Sequence, residues 1–179
     1  MQQNLSQSVY QKAIRFAAEK HHNQTIPGSK ANYLLHLSNV AMEVIVAYMQ
    51  EPDFEINLAV QLAILHDTLE DTDTTYQELK DLFSGSVAEG VAALTKNNSL
   101  LTKQAKMQDS LSRIKETFKE VAIVKLADRI TNLQTPPHTW DVEKIENYKE
   151  EAKLIANDLK GSNAYLDQRI RSKIKEYAS

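Results

Sequence analysis

Apolar residues recur along this chain at intervals of three and four, interrupted by short polar stretches, and the pattern predicts helix almost throughout. Val9, Ala13, Phe16 and Ala17 share one face of a first amphipathic helix. A polar loop over residues 22–32 follows and contains Pro27-Gly28-Ser29. Residues 37–49 form a second predicted helix, stopped before Pro52. A third is predicted over 56–69, and its centre, 58–65, is apolar on nearly every side, which predicts burial. Shorter helices are predicted near 75–83 and 86–94, separated at Gly85, and a sixth over 102–117. Residues 120–133 repeat the buried pattern through Val121, Ala122, Ile123, Val124, Leu126, Ala127, Ile130 and Leu133, and Pro136-Pro137 ends it. Two more helices, 142–159 and 164–177, are divided by Gly161. No segment reads as a sheet. The expected fold is an all-α helical bundle with two buried central helices, in one domain over residues 1–179.

Composition sharpens this picture. The chain has only 4 glycines and 4 prolines, so helix breakers are scarce. A net charge of −3 argues against a dedicated nucleic-acid binder, while leaving room for a local basic pocket that takes a phosphorylated small molecule. There is no cysteine, so any metal must be held by His, Asp, Glu or Asn, a set that suits Mn, Fe, Mg or Zn. No apolar run approaches membrane-spanning length and the polar N-terminus has no signal-like apolar stretch, so a cytoplasmic location is expected.

Each of the two buried helices ends in polar residues that a core would otherwise exclude. The third helix ends His66-Asp67-Thr68-Leu69-Glu70-Asp71. His66 and Glu70, and likewise Asp67 and Asp71, are four apart, so the ionisable groups crowd one helical turn. Three carboxylates packed that closely repel one another, and a cation resolves the repulsion. The other buried helix carries Lys125, Asp128, Arg129 and Asn132, with Asp128 and Asn132 on one face. His36, after Tyr33-Leu34-Leu35, offers a third ligand segment. A metal site of His36, His66, Asp67 and Asp128 leaves positions for water and a substrate oxygen, as a catalytic rather than a structural metal requires. Glu70 and Asp71 would lie beside the cation, placed to orient a water or take its proton.

Each part has a plainer reading. An isolated His-Asp pair is usually unrelated to metals. Glu70-Asp71 could be a solvated helix end, and Asp128-Arg129 an ordinary ion pair. His21, His22 and His138 lie in or beside polar loops, where packing or substrate contact is favoured over metal ligation.

The combination is far more specific. His36, then His66-Asp67-Thr68-Leu69-Glu70-Asp71-Thr72, then Lys125-Leu126-Ala127-Asp128-Arg129-Ile130-Thr131-Asn132-Leu133 resembles the HD hydrolase domain of the RelA/SpoT homologue superfamily. The likeness continues through Thr74-Thr75, Phe83 to Val87 and Ala93-Leu94-Thr95-Lys96, and covers essentially the whole chain. With no synthetase sequence following, it is most similar to the stand-alone class, the small alarmone hydrolases. Trp140, Lys144 and Tyr148, followed by Gly161-Ser162-Asn163, resemble that class's C-terminal segment.

The resemblance implies Mn²⁺ held by His36, His66, Asp67 and Asp128, with Glu70 and Asp71 positioning and activating the water. It implies Asn132 and Tyr148 as contacts to the sugar and phosphates of (p)ppGpp and Lys144 as a phosphate-side cation, with GDP or GTP and pyrophosphate as products. One region departs: the family loop before the first His carries a pair of cations and then Pro-Tyr. Here residues 24–33 contain Lys30 as their only cation, and Asn32 stands where proline is usual. Lys30, Lys103 and Lys106 are candidate phosphate contacts, with solvated surface lysine as the competing reading. Two other functions fit the pattern less fully. One is the same chemistry on another nucleotide, including removal of the NADPH 2′-phosphate. The other is a non-catalytic nucleotide-sensing module, which would normally have lost a ligand or the acidic pair.

Overall fold

The computed structural model describes residues 4–177. Ten helices follow one another, and the first six are α1 (Gln7–Lys20), α2 (Leu34–Gln50), α3 (Ile56–Leu65), α4 (Thr68–Asp71), α5 (Tyr76–Leu82) and α6 (Gly85–Leu94). The remaining four are α7 (Lys103–Lys115), α8 (Lys119–Asn132), α9 (Val142–Asp158) and α10 (Ala164–Glu176). Among the described residues the sole extended pairing is an isolated antiparallel bridge between Thr25 and Asn32.

The two central helices are α3 and α8, and the expectation of buried helices there is met. From α3, Ile56, Ala59, Val60, Leu62, Ala63, Ile64 and Leu65 are buried, and α8 buries Val121 through Val124, Leu126, Ala127 and Ile130. Helix α3 packs against α1, α2, α6 and α8, while α8 also meets α10, α7 and α9. The approach of α6 to α3 and α8 depends on Gly90, where a Cβ would stand 2.6 Å from Leu62 Cδ2 and 3.2 Å from Val121 Cγ2. That close approach draws the end of α6, and the segment after it, towards the polar end of α3.

Polar side chains fix the helix starts. Glu55, Thr75, Ser84, Thr102, Asp141 and Asn163 each accept a backbone N–H from the first turn of the helix that follows. The boundary between α5 and α6 is therefore the Ser84 cap; Gly85, expected as the separator, is the first helical residue. The loop after α1 turns at Pro27-Gly28, where Ser29 N–H donates to Ile26 O and Gly28 takes φ of 77°. Proline then a left-handed glycine is the composition such a turn requires.

The third predicted helix does not run unbroken to residue 69. It ends at Leu65, and α4 begins at Thr68. Thr68 Oγ1 donates to Leu65 O at 2.7 Å, and Asp67 adopts φ −97°, ψ −1°, so local hydrogen bonds replace the helical ladder for one turn. The second helix starts at Leu34, which places His36 inside its first turn. No helix among the described residues is long and apolar enough to cross a membrane.

Candidate metal centre and active site

Three segments meet at the polar end of the central helices. His36 comes from the start of α2, His66 and Asp67 from the break after α3, and Asp128 from α8. His36 Nε2 and His66 Nε2 stand 3.4 Å apart. Asp67 Oδ2 lies 2.9 Å from His66 Nε2 and 3.8 Å from His36 Nε2. Asp128 Oδ1 lies 3.5 Å from His36 Nε2 and 3.8 Å from His66 Nε2. In a continuous helix, adjacent side chains diverge by about 100° around the axis. The break after Leu65 removes that constraint, which lets neighbouring His66 and Asp67 face one point.

The donor set fits a divalent cation. One donor atom each from His36, His66 and Asp67 falls within 4.8 Å of the others. Both imidazoles are buried. His66 Nδ1 donates to Ala63 O at 2.9 Å, so the Nε2 lone pair is the one turned to the cluster. A backbone carbonyl on the far nitrogen is the usual support of a metal-binding imidazole.

The electrostatics show what crowding does without a cation. Burial holds the His36 imidazole below its ordinary pKa, against the pull of Asp128. For His66 burial again opposes charge, but Asp67, then Asp128, override it and lift the ring to about 9. Of the two rings, His66 is the one whose charged form its surroundings favour when no cation is present. Burial penalises the Asp67 carboxylate, yet His66 and Tyr33 hold it far below the usual range. Asp128 is likewise held down, by Lys125 and the two imidazoles against burial.

Helix α4 presents the acidic pair. Glu70 is gripped by Lys96, whose Nζ reaches Oε1 at 2.7 Å and whose backbone N–H donates to Oε2 at 3.1 Å. Asp71 Oδ2 accepts from Gln24 Nε2 at 2.8 Å. Both carboxylates line a cavity of about 850 Å³ with His66, Asp67 and Asp128.

The candidate substrate contacts divide. Lys103, Lys106, Asn132, Lys144 and Tyr148 line the cavity. Asn132 Nδ2 donates to Asp128 Oδ1 at 2.6 Å, and Lys144 Nζ lies 4.4 Å from the centre of the Trp140 ring. The Arg129 guanidinium sits 4.2 Å over the Tyr148 ring and reaches Glu151 at 3.5 Å, tying α9 to α8. Lys30 is not brought to this place: it is exposed at the tip of the 22–32 loop and is not among the lining residues. His22 and His138 are exposed, whereas His21 is buried against the Tyr33 ring, 5.2 Å between centroids.

Sequence reasoning missed Tyr33, Gln24 and the grip of Lys96. Tyr33 donates its O–H to Asp67 Oδ2 and packs on His36 at 5.0 Å. Its signal was its place three residues before His36, one turn away on the same helix face. Gln24 and Lys96 act on Asp71 and Glu70 from 47 and 26 residues away, a separation that no local pattern reports.

With this geometry in view, relatives can be placed. The HD domain family matches residues 13–159. The zebrafish (Danio rerio) guanosine-3′,5′-bis(diphosphate) 3′-pyrophosphohydrolase MESH1 is 33% identical over 172 residues, covering 93% of this chain and 92% of that protein. The chain belongs to the HD domain family and, within it, to the group of MESH1-type proteins. The guanosine-3′,5′-bis(diphosphate) 3′-pyrophosphohydrolase of Aquifex aeolicus is 38% identical over 127 residues, 70% of this chain but only 17% of that much longer protein. A solved structure, described as a metazoan ortholog of SpoT that hydrolyses ppGpp and plays a role in starvation responses, shares the fold at a TM-score of 0.82. The match covers 98% of this chain and 99% of that one, at 24% identity.

Proposed function

We propose that this chain, one HD-type hydrolase domain over residues 1–179, is a Mn²⁺-dependent, cytoplasmic hydrolase that removes the 3′-pyrophosphate of ppGpp and pppGpp. The products are GDP or GTP and pyrophosphate. The observation that carries the reading is the convergence of His36, His66, Asp67 and Asp128 beside the Glu70–Asp71 pair, where all but His36 line one cavity walled by lysines. The named activity of the zebrafish relative points to the same reaction.

The four residues would hold the cation as two imidazole nitrogens and two carboxylates, a set that leaves room for solvent and a substrate oxygen. When bound, Mn²⁺ supplies Lewis acidity, offsetting charge on the phosphoryl oxygens and easing deprotonation of water. Glu70 and Asp71 orient that water towards the phosphorus bonded to the ribose 3′-oxygen, and one of them takes its proton. The new P–O bond forms as the 3′-O–P bond breaks. The 3′-oxygen leaves to the nucleoside and is protonated, and pyrophosphate departs. Lys103, Lys106 and Lys144 offset the charge of the phosphate chain, while Asn132 and Tyr148 meet the sugar side.

A second reading keeps the same chemistry with NADPH as substrate and its 2′-phosphate as the group removed. It draws on one observation: Lys30, the only cation of the loop over residues 24–33, stays outside the cavity lining, so that loop supplies the cavity with no cation. The third reading, a non-catalytic module, is disfavoured because both carboxylates are braced within the cavity. Parallel turnover of ppGpp and NADPH in Mn²⁺, at equal concentration, distinguishes the first two. A kcat/KM for ppGpp at least tenfold above that for NADPH is expected, and the reverse order would reassign the substrate.

A further inference from the structure

Asp71 is held by a part of the molecule that contributes nothing to the metal cluster. Its Oδ2 accepts from Gln24 Nε2 at 2.8 Å. An ionised carboxylate only accepts, so the Gln24 amide must turn its NH₂ group towards Asp71 and its oxygen away. That oxygen, Oε1, lies 2.6 Å from His21 Nδ1. The ring hydrogen of His21 therefore sits on Nδ1 and is donated to Gln24. His21 Nε2 is buried and has no hydrogen-bond partner among the described residues, so the Nδ1 contact to Gln24 is the ring's one polar tie.

The backbone of Gln24 is fixed as well. Its N–H donates to His21 O at 3.0 Å, and its carbonyl accepts from Tyr33 N–H at 2.9 Å. All four polar atoms of Gln24 are engaged, which makes it a strut rather than a mobile surface side chain. His21 in turn is 1% exposed and stacked on Tyr33, so the strut stands on the core. Glu70 takes its brace from Lys96 instead. The two carboxylates of α4 are thus oriented independently, from different segments of the chain.

We propose that Gln24, braced by buried His21, is a positioning residue for Asp71, fixing Oδ2 so that Oδ1 is presented to the attacking water. The proposal rests on the reading that Asp71 acts on that water. It predicts an effect on the chemical step and none on metal or nucleotide binding.

The test is a double-mutant cycle. Gln24→Met keeps the side chain's length and removes both polar atoms; kcat should fall about tenfold, the scale of a lost hydrogen bond to a charged group, with KM and Mn²⁺ affinity unchanged. In an Asp71→Asn background the same substitution should cause no further loss. A full tenfold loss persisting there would overturn the proposal, because Gln24 would then act by another route. His21→Phe should reproduce Gln24→Met, and His21→Asn, which keeps an N–H near the Nδ1 position, should recover much of the rate. Rates are read on whichever of ppGpp and NADPH the wild type turns over, so failure of the wild type on both counts against the functional reading alone. A separate measurement on the metal-free wild type decides the relay without any turnover. Imidazole ¹⁵N spectra should show His21 carrying hydrogen on Nδ1, and hydrogen on Nε2 instead would contradict it.

Discussion

His36 and His66 face each other nitrogen to nitrogen, 3.4 Å apart inside the protein, with Asp67 Oδ2 2.9 Å from the second ring. Two buried imidazoles and a partly buried carboxylate converging on one point are costly unless a cation or proton sits among them. Chelation is therefore expected to abolish turnover, and Mn²⁺ to restore it better than Mg²⁺, which prefers oxygen ligands. At one hundred times its dissociation constant, bound metal should add about 2.7 kcal/mol of stability. Thermal unfolding with and without Mn²⁺ checks this, and an unchanged Tm would remove the cluster as the metal site.

The lifted pKa of His66 gives the pH dependence a sign. Its folded value of about 9 stands above the ordinary 6.5. In the metal-free protein the charged ring therefore stabilises fully below pH about 6.5, and the contribution is lost as pH rises through about 9. Metal ligation needs the neutral ring and displaces that proton. Apparent Mn²⁺ affinity should rise across this window, and binding at pH 7.5 should release about one proton. Calorimetry in two buffers of different ionisation enthalpy measures the release; a value of zero would contradict the assignment of the proton to His66.

Glu70→Gln preserves shape and keeps one acceptor oxygen for Lys96, so one of its two contacts survives and the other is lost. We expect metal affinity to stay within a few-fold while single-turnover chemistry slows by about 10² or more, the range for loss of a general base. If the variant instead loses its metal, Glu70 is a ligand or the direct support of one.

Tyr33→Phe removes a single hydroxyl, the donor to Asp67 Oδ2. Partners that orient metal ligands are typically worth about 10–100-fold in affinity. Weaker Mn²⁺ binding of that order is the expected result of a titration, with the fold intact by circular dichroism. Unchanged affinity would mean that Asp67 is held well enough by His66 alone.

Much of this architecture was legible in the chain because burial writes a periodic signal. The all-round apolar run over 58–65 and its counterpart in 120–133 become α3 and α8, and the polar residues that end each run mark the cluster. The break between Leu65 and Thr68 was not legible, since His-Asp-Thr carries no proline or glycine. It arises from the Thr68 hydroxyl bonding to Leu65 O and from His66 Nδ1 bonding to Ala63 O, alternatives to the helical ladder that sequence periodicity does not register. Gln24 and Lys96 were hidden for another reason: their partners are fixed only once α1 and α6 have packed around the central helices. Lys30 illustrates the converse. A cation in the expected loop is chemically suitable, yet the turn at Pro27-Gly28 keeps it at an exposed tip.

The central claim is tested most directly by incubating the purified protein with Mn²⁺ and ppGpp in ¹⁸O-labelled water and separating the products by anion exchange, with chelator and Asp67→Ala controls. GDP and ¹⁸O-bearing pyrophosphate, both lost in the two controls, are the predicted result. Intact ppGpp with a folded, metal-loaded protein would contradict the assignment of substrate. Undiminished turnover by Asp67→Ala would contradict the assignment of the site.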